Sequence, residues 1–585
     1  MRRLLLVLAL SGCGGSAAVS KPAPTPPAPA RPPAPRGVTL SIVGMNDLHG
    51  QFRPDPGGER GGLAIMGGYL ANLRAARAAD GGAVLLFDGG DAFQGTLESN
   101  LSEGAVVIAA YNVLGVDAMT LGNHEHDYGP VGPAVTPQGP GDDPQGAIKA
   151  RAAEAKFPIV AANTVDAATG QPVSWPNVQP TVMLDRAGVK IGVIGLTTMD
   201  TPSSTMTANV RGLDFQPLAP TMTREATKLR AAGAQVVVVV AHAGGKCKSF
   251  DNPRDLSSCS PGDEMFQALP EVPAGLVDVV VAGHTHDGVA HFVNGVAVIE
   301  GYSYGKAFGR VDLTVTGGKL TDVKIFQPHE LCLKAPAGKL RCDPKDPAPR
   351  EPVIYEGKPV TPDAQVAAVL APAVESAAER RAEKLGPRVE KTVMKSYDHE
   401  SALGNLVADL MLDARPKAAL AITNGGGLRA HLAEGELTYG SFYELYPFDN
   451  RFAMAEMTGA EVVEMVRKNL LSDKGIMSMA GGTVTAVCKN GQLEITVRRG
   501  KGGKPIKPKD KLLIATSDFL ASGGADAMVP VDASKVKVED EIVREALVKV
   551  LRKKGKIVLH GDDPKLFDPK KPRLAYPGDR PVKCP

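Results

Sequence analysis

The stretch Ala118-Met119-Thr120-Leu121-Gly122-Asn123-His124-Glu125-His126-Asp127 carries the pattern on which the fold turns. A short run, Ala118–Leu121, bounded by Gly122, reads as a buried strand. An amide, two imidazoles and two carboxylates follow it at once. The arrangement recurs at Asn46-Asp47-Leu48-His49-Gly50, Gly89-Gly90-Asp91, Ala241-His242-Ala243-Gly244 and Gly283-His284-Thr285-His286. Each of these follows a strand-like run of its own: Thr39–Met45, Ala83–Phe87, Gln235–Val240 and Val277–Ala282. Six of the chain's eleven histidines lie in these five segments, a concentration that points to one metal site.

Working outward, Ile159–Ala162 and Lys190–Ile194 read as further strands, and Leu63–Ala79, Val106–Leu114, Gln145–Lys156 and Ala219–Ala232 have helical spacing. Alternation of this kind predicts an α/β layered domain over 38–330, ending in short β runs from Val289 to Phe326. A Pro- and Lys-rich segment, 331–361, reads as a linker. Thr361-Pro362-Asp363 then opens a long helix expected to stop near Gly386-Pro387. A second α/β domain is expected over 362–560. Its strands fall near Leu420–Thr423, Phe452–Met457, Leu493–Val497 and Leu512–Thr516, and its helices at Ala402–Ala414, Ala460–Leu471 and Glu541–Lys553. The tail, 561–585, is Pro- and charge-rich and is expected to pack as coil. No internal repeat, Walker A loop or G-x-G-x-x-G is present.

At 585 residues the chain is too long for one ordinary core. Its 66 basic and 64 acidic residues nearly cancel, so no electrostatic reason exists to expect a nucleic-acid polymer as partner. No apolar run reaches the roughly 18 residues that span a bilayer. Arg2-Arg3 and the apolar Leu4–Leu10 read as a signal peptide over 1–13. Leu10-Ser11-Gly12-Cys13 resembles the bacterial lipobox, which implies cleavage before Cys13, lipidation of Cys13 and a membrane anchor. Residues 14–37 are rich in Pro and Ala, a stiff tether. Export favours disulfides among the other six cysteines. Proximity pairs Cys247 with Cys259 and Cys332 with Cys342, and elimination pairs Cys488 with Cys584.

The chemistry follows from donor types. Asp47 and His49 lie two apart past a strand, so an extended backbone would point both side chains one way. Asp91 has two carboxylate oxygens and can bridge two ions, Asn123 offers an amide oxygen, and His242, His284 and His286 offer imidazole nitrogens. Ligands gather at the carboxyl ends of strands in open α/β sheets. Mixed nitrogen and oxygen donors suit Zn, Mn, Fe or Ni better than Ca.

The order of these segments resembles the calcineurin-like metallophosphoesterases. The fuller forms, including Gly90-Asp91-Ala92-Phe93-Gln94-Gly95-Thr96 and Gly122–Gly129, are similar to the bacterial periplasmic 5′-nucleotidase and UDP-sugar hydrolase family. The second domain carries that family's other signatures, Glu400–Asn405, Asn424–Arg429, Pro447–Asn450 and Phe519–Gly524. The resemblance implies a four-layer α/β/β/α sandwich joined to a 5′-nucleotidase C-terminal domain. It implies two divalent ions, Zn, Mn or similar, with a bridging hydroxide as nucleophile. One would be held by Asp47, His49, Asp91 and His286, the other by Asp91, Asn123, His242 and His284. It implies His124 as transition-state stabiliser or leaving-group acid, oriented by Asp127. Asn424 and Arg429 would bind substrate, Arg429 by gripping the phosphate, and Phe448 and Phe519 would sandwich a nucleobase.

The chain departs from the family where Tyr397 stands for an Arg, Asp449 for a Gly, and His126 for the commoner Phe. Gly523-Gly524-Ala525-Asp526-Ala527 stands for Gly-Gly-Asp-Gly. The expectation is metal-dependent hydrolysis of extracytoplasmic nucleotide phosphate esters. A 2′,3′-cyclic nucleotide phosphodiesterase, a UDP-sugar hydrolase, a thiosulfate-ester hydrolase and a non-catalytic surface nucleotide-binding lipoprotein remain as alternatives.

Overall fold

Two β-sheets stack face to face in the first half of the chain, in a computed structural model that describes residues 37–336, 341–343, 345–500, 502–526 and 532–585. The expected signal segment, Cys13 and the expected tether up to residue 36 lie outside the described residues. In one sheet Val38–Met45, Ala83–Asp88, Ala118–Thr120, Ile159–Val160 and Val178–Gln179 run parallel in that order. Ala307–Thr316 and Lys319–Glu330 extend it antiparallel beyond Val38–Met45. In the other, Val189–Thr197, Val236–His242, Val279–Ala282 and Val296–Gly301 run parallel between antiparallel edges Thr181–Arg186 and Gly288–Val293.

Strand alternation assigns the layers. Leu40 and Ile42 pack between the sheets with Val238 and Val281, whereas Val43 and Met45 face the helices Leu63–Asp80 and Ala105–Leu114. On the far side Val237 and Val239 meet Met222 and Ala226 of the helix Leu218–Ala231. The result is the expected α/β/β/α order. Val236 to Val240 are all fully buried, as a central parallel strand covered on both faces requires. Each contributes about 1.5–3 kcal/mol of burial.

A five-stranded sheet organises the second half, in the order Met477–Ala480, Leu420–Asn424, Lys511–Ser517, Arg451–Thr458, Val536–Ile542. The helices Ala402–Ala414 and Val543–Lys554 cover one face and Gly459–Leu471 the other. The last of the expected helices thus starts later than read, because Glu541 belongs to the strand Val536–Ile542.

Two sequence expectations need correction. The long helix runs Ala364–Ala382, its N-terminus capped by the Asp363 carboxylate, which accepts from the Gln365 and Val366 amides. It ends before Gly386-Pro387, which lies inside the strand Lys384–Lys391 at a register shift, with Gly386 at φ 107°. Gly and Pro there mark a strand irregularity and not a helix stop. Segment 331–361 is no free linker: Tyr355 and Val360 are buried in the first core, Tyr355 against Tyr69 and Phe308. Val366 and Leu370 of the following helix join the same core, while its Ala377 joins the second. Residues 37–585 therefore form one compact unit.

The three disulfides are Cys247–Cys259, Cys332–Cys342 and Cys488–Cys584, the pairing expected from proximity and elimination. The last ties down the tail, where Leu574–Ala575 adds a short strand beside Val484 and Thr485. Among the described residues no helix is long and apolar enough to cross a membrane.

Candidate functional site

The carboxyl ends of the parallel strands in both sheets meet at one edge, and all seven candidate metal ligands converge there. Asp47, His49, Asp91 and His286 offer donor atoms within 4.8 Å of one another, and so do Asp91, His242 and His284. Asp91 belongs to both groups. His286 Nε2 stands 3.0 Å from His49 Nε2 and 3.2 Å from Asp47 Oδ1. His242 Nε2 stands 3.2 Å from Asp91 Oδ2, 3.0 Å from Asn123 Oδ1 and 3.1 Å from His284 Nδ1.

The local backbone that achieves this is not the extended chain read from the two-residue spacings. Asp47, His49, Asp91, His284 and His286 all have positive φ, between 48° and 77°. The strands Val38–Met45, Ala83–Asp88 and Val279–Ala282 thus lead into left-handed residues, a conformation L-residues adopt at some cost, which aims these side chains inward. At Gly90 (φ 89°) two of these loops pack closely: a Cβ there would lie 2.6 Å from the Gly122 nitrogen.

Hydrogen bonding shows that the donor set fits a cation. The backbone carbonyls of Gln94 and Gly89 accept from His49 Nδ1 and His242 Nδ1, each at 2.8 Å. The proton is thereby held on Nδ1, and each Nε2 presents a lone pair to the cluster. The Asn123 amide donates to the Ser204 carbonyl at 3.0 Å, which turns its oxygen inward. Around His242, lone pairs of Asn123 and Asp91 therefore oppose another lone pair, and Asp47 Oδ1 is buried with no hydrogen-bond partner. Acceptors facing acceptors out of water require positive charge between them. The protonation equilibria express the same demand. Burial resists charge on His242, yet Asp91, Asp47 and Glu125 lift its pKa to about 10, while burial and His242 push His284 down to about 3.

Glu125 is a residue whose role the local sequence did not reveal. Its buried carboxylate accepts from the amides of Gly122 (2.7 Å), Asp91 (2.9 Å) and Ala92 (2.8 Å), stapling two ligand loops together. Burial first and Asp91 second raise its pKa to about 7. Beside it, His124 Nδ1 lies 2.6 Å from Asp127 Oδ2, and Thr205 Oγ1 donates to Asp127 Oδ1 at 2.8 Å. Burial opposes charge on His124, but Asp127 and Asp91 outweigh it and raise its pKa. The His124 ring lies 5.4 Å from that of His49 and 5.5 Å from that of Phe448, between the metal cluster and the second domain. His126 points elsewhere, into an apolar pocket against Trp175 and Phe215.

The second domain reaches into this cluster. Arg429 Nη2 donates to His49 Nε2 at 2.9 Å, and its guanidinium lies 5.8 Å from the Phe448 ring. Asn424, Arg429, Phe448 and Phe519 line one cleft of about 660 Å³ together with Asp91, Asn123 and His124. Phe448 and Phe519 make no ring contact with each other among the described residues, and both line the cleft. Tyr397 and Ala525 also line the cleft, whereas Asp526 is exposed and its carboxylate acts on Lys474. Lys474 in turn pairs with Asp200 of the first domain at 2.5 Å.

Comparison with known proteins agrees with this geometry. The calcineurin-like phosphoesterase profile matches residues 40–288, and the 5′-nucleotidase C-terminal domain profile matches residues 381–531. Protein UshA of Escherichia coli (strain K12) is 27% identical over 512 residues, 83% of this chain and 86% of that protein. A 5′-nucleotidase of Vibrio cholerae is 27% identical over 515 residues, 83% and 85% of the two chains. The crystal structure of a 5′-nucleotidase precursor from Thermus thermophilus shares the fold, with TM-score 0.69, 21% identity, and coverage of 90% of this chain and 100% of that one. The chain thus combines a calcineurin-like metallophosphoesterase domain with a 5′-nucleotidase C-terminal domain, and these likenesses support metal-dependent hydrolysis of phosphate esters on this fold.

Proposed function

We propose that this protein hydrolyses the phosphate esters of nucleotides outside the cytoplasm, as a 5′-nucleotidase. The observation that carries the reading is the pair of donor clusters sharing Asp91. Asp47, His49, Asp91 and His286 would hold one divalent ion and Asp91, Asn123, His242 and His284 the other. When bound, such a pair would supply Lewis-acid activation of water and stabilisation of charge on the attacking and leaving oxygens. Arg429 binds the phosphoryl oxygens with its planar fork of donors, a geometry Lys cannot reproduce. Asn424 adds an amide at the same cleft. His124, oriented by Asp127, delivers a proton to the departing oxygen or stabilises the phosphoryl group. Phe448 and Phe519 stack on the base, a contact tolerant of base identity.

The export signal, the lipobox around Cys13 and the three disulfides support an exported, lipid-anchored protein. Labelled palmitate incorporated by the wild-type chain and lost in Cys13→Ala would bear this out; equal labelling of both would refute it. The catalytic reading is tested by phosphate release from AMP, UDP-glucose and a 2′,3′-cyclic nucleotide with Mn, Zn, Mg and Co. Release from AMP that disappears in Asp91→Ala is expected. A protein that binds two ions yet hydrolyses none of the three substrates would end the reading.

A further inference from the structure

A second cavity, about 1420 Å³, opens onto the metal cluster from the side of His49. It shares His286, Tyr304, Lys395 and Arg429 with the nucleotide cleft, so the two spaces meet at the site of reaction. Neither Phe448 nor Phe519 borders it. Four of its cations, Arg60, Lys306, Lys395 and Arg429, make no ion pair with a carboxylate among the described residues. Arg60 Nε is buried without any hydrogen-bond partner among the described residues.

Three of the four acids that line the cavity have hydrogen-bond or ion-pair partners. Asp55 accepts from the Glu59 and Arg60 amides, Glu330 accepts from the Cys342 amide, and Glu444 pairs with Arg381. Glu375 remains, exposed on the helix Ala364–Ala382. Burial in the cavity and the neighbouring Arg60 guanidinium hold the Lys306 ammonium below the usual lysine range, with no carboxylate offsetting them. Two like charges held together in this way are relieved by a bound anion.

Tyr304 connects this pair to the chemistry. Its ring lies 5.3 Å from that of His286 and 5.6 Å from that of His49, and Lys306 Nζ lies 5.3 Å from the Tyr304 ring centre. Tyr302 and Tyr304 both have positive φ, 59° and 63°, and the Tyr304 amide donates to the Asp47 carbonyl at 2.7 Å. Bulky side chains in this region are strained, and such strain is kept where a side chain must be aimed.

We infer that the second cavity is a subsite for a negatively charged second arm of the substrate, a carboxylate or phosphate on the group joined to the scissile phosphate away from the base, gripped by Lys306 and Arg60. The inference rests on the proposed nucleotide hydrolysis and adds a charge preference to it. Substrates with an anionic second arm are preferred over neutral ones of the same shape, while AMP, which lacks that arm, does not use the subsite.

The test compares UDP-glucuronate with UDP-glucose, which differ by one carboxylate, with AMP as control, on the metal-loaded full chain. The wild type is expected to show kcat/KM roughly tenfold higher for UDP-glucuronate, the scale of one charge-assisted hydrogen bond. Lys306→Met and Arg60→Gln should each bring that ratio toward one, Lys306→Arg should keep it, and AMP hydrolysis should stay unchanged throughout. A wild-type ratio near one, a ratio that survives both substitutions, or AMP turnover without turnover of either UDP-sugar overturns the subsite and leaves the nucleotidase reading standing. No turnover of all three substrates overturns that reading instead. Loss of AMP hydrolysis in both charge-removing variants would assign Lys306 and Arg60 to the fold or the shared centre, and would likewise refute a separate subsite.

Discussion

Replacing Asp127 by Asn isolates the part of catalysis that depends on orienting His124. The Oδ2–Nδ1 contact is 2.6 Å, a charge-assisted hydrogen bond, and Thr205 fixes the other carboxylate oxygen at 2.8 Å. Asn keeps the shape and removes the charge. A hydrogen bond to a charged group is worth about 1.5–3 kcal/mol. If that energy is expressed mainly while His124 carries a proton near the phosphoryl group, kcat for AMP should fall by roughly 10- to 150-fold, with KM little changed. Two internal controls sharpen the test. With a p-nitrophenyl phosphate ester, whose leaving group needs no proton, the loss should shrink several-fold if His124 acts as an acid. In the background of His124→Ala, Asp127→Asn should cost almost nothing further, because the two act as a unit. The assay is steady-state phosphate release with metal content verified for each variant. An Asp127→Asn enzyme within twofold of wild type, or full additivity of the two substitutions, would refute the orienting role.

Other consequences are simpler to state. Asp91→Asn should abolish the shared bridge, and metal analysis of the purified protein should find fewer than two ions per chain; two tightly held ions would contradict the assignment. Removing metal with a chelator should lower Tm, since ions bound only by the folded state stabilise it; an unchanged Tm with proven metal loss would count against a bound pair. His329 lies against Tyr69, Phe308 and Tyr355, and burial together with Arg310 depresses its pKa to about 4. Its folded pKa is below the unfolded value of about 6.5, so the unfolded chain takes up the proton first. Stability should therefore fall from about pH 6.5 toward pH 4, and His329→Phe should flatten that slope in denaturant titrations; an equal slope in both proteins would dismiss His329 as its source. Cys584→Ser opens a loop of sequence separation 96 and should cost about 2–5 kcal/mol, read as a lower Tm; no change would mean the tail is held without its covalent tie.

Local sequence carried the strands of the first domain well. Val236–His242 and Ala83–Asp88 are apolar because both faces are covered, and Gly, Asn or Asp ends them, so composition and punctuation agree with the tertiary outcome. The disulfides were legible because six cysteines left few sensible partners. Segment 331–361 was misread because a Pro- and Lys-rich composition describes the average residue, whereas Tyr355 is placed by Tyr69 and Phe308 from far along the chain. Gly386-Pro387 was misread because the same two residues that stop helices also occur at strand irregularities, and only pairing with Gly435–Thr438 separates the cases. Thr181–Arg186 went unread because an edge strand, part-exposed on both sides, lacks a continuous apolar signal.

The identity of the candidate metal ligands is a property of the sequence alone, since donor chemistry is intrinsic to Asp, Asn and His and the five segments mark themselves by what precedes them. How those donors meet was decided only in three dimensions. Left-handed turns, and not extended spacing, converge Asp47 with His49 and His284 with His286, because backbone torsion is chosen by the packing of the loops on one another. Glu125 became a staple only when the amides of Gly122, Asp91 and Ala92 came within reach. Arg429 came to rest 2.9 Å from His49 across 380 residues of chain, and the charges of Lys306 and Arg60 came to line a common cavity. Interactions of that kind depend on distance through space, which the order of residues along a chain does not contain.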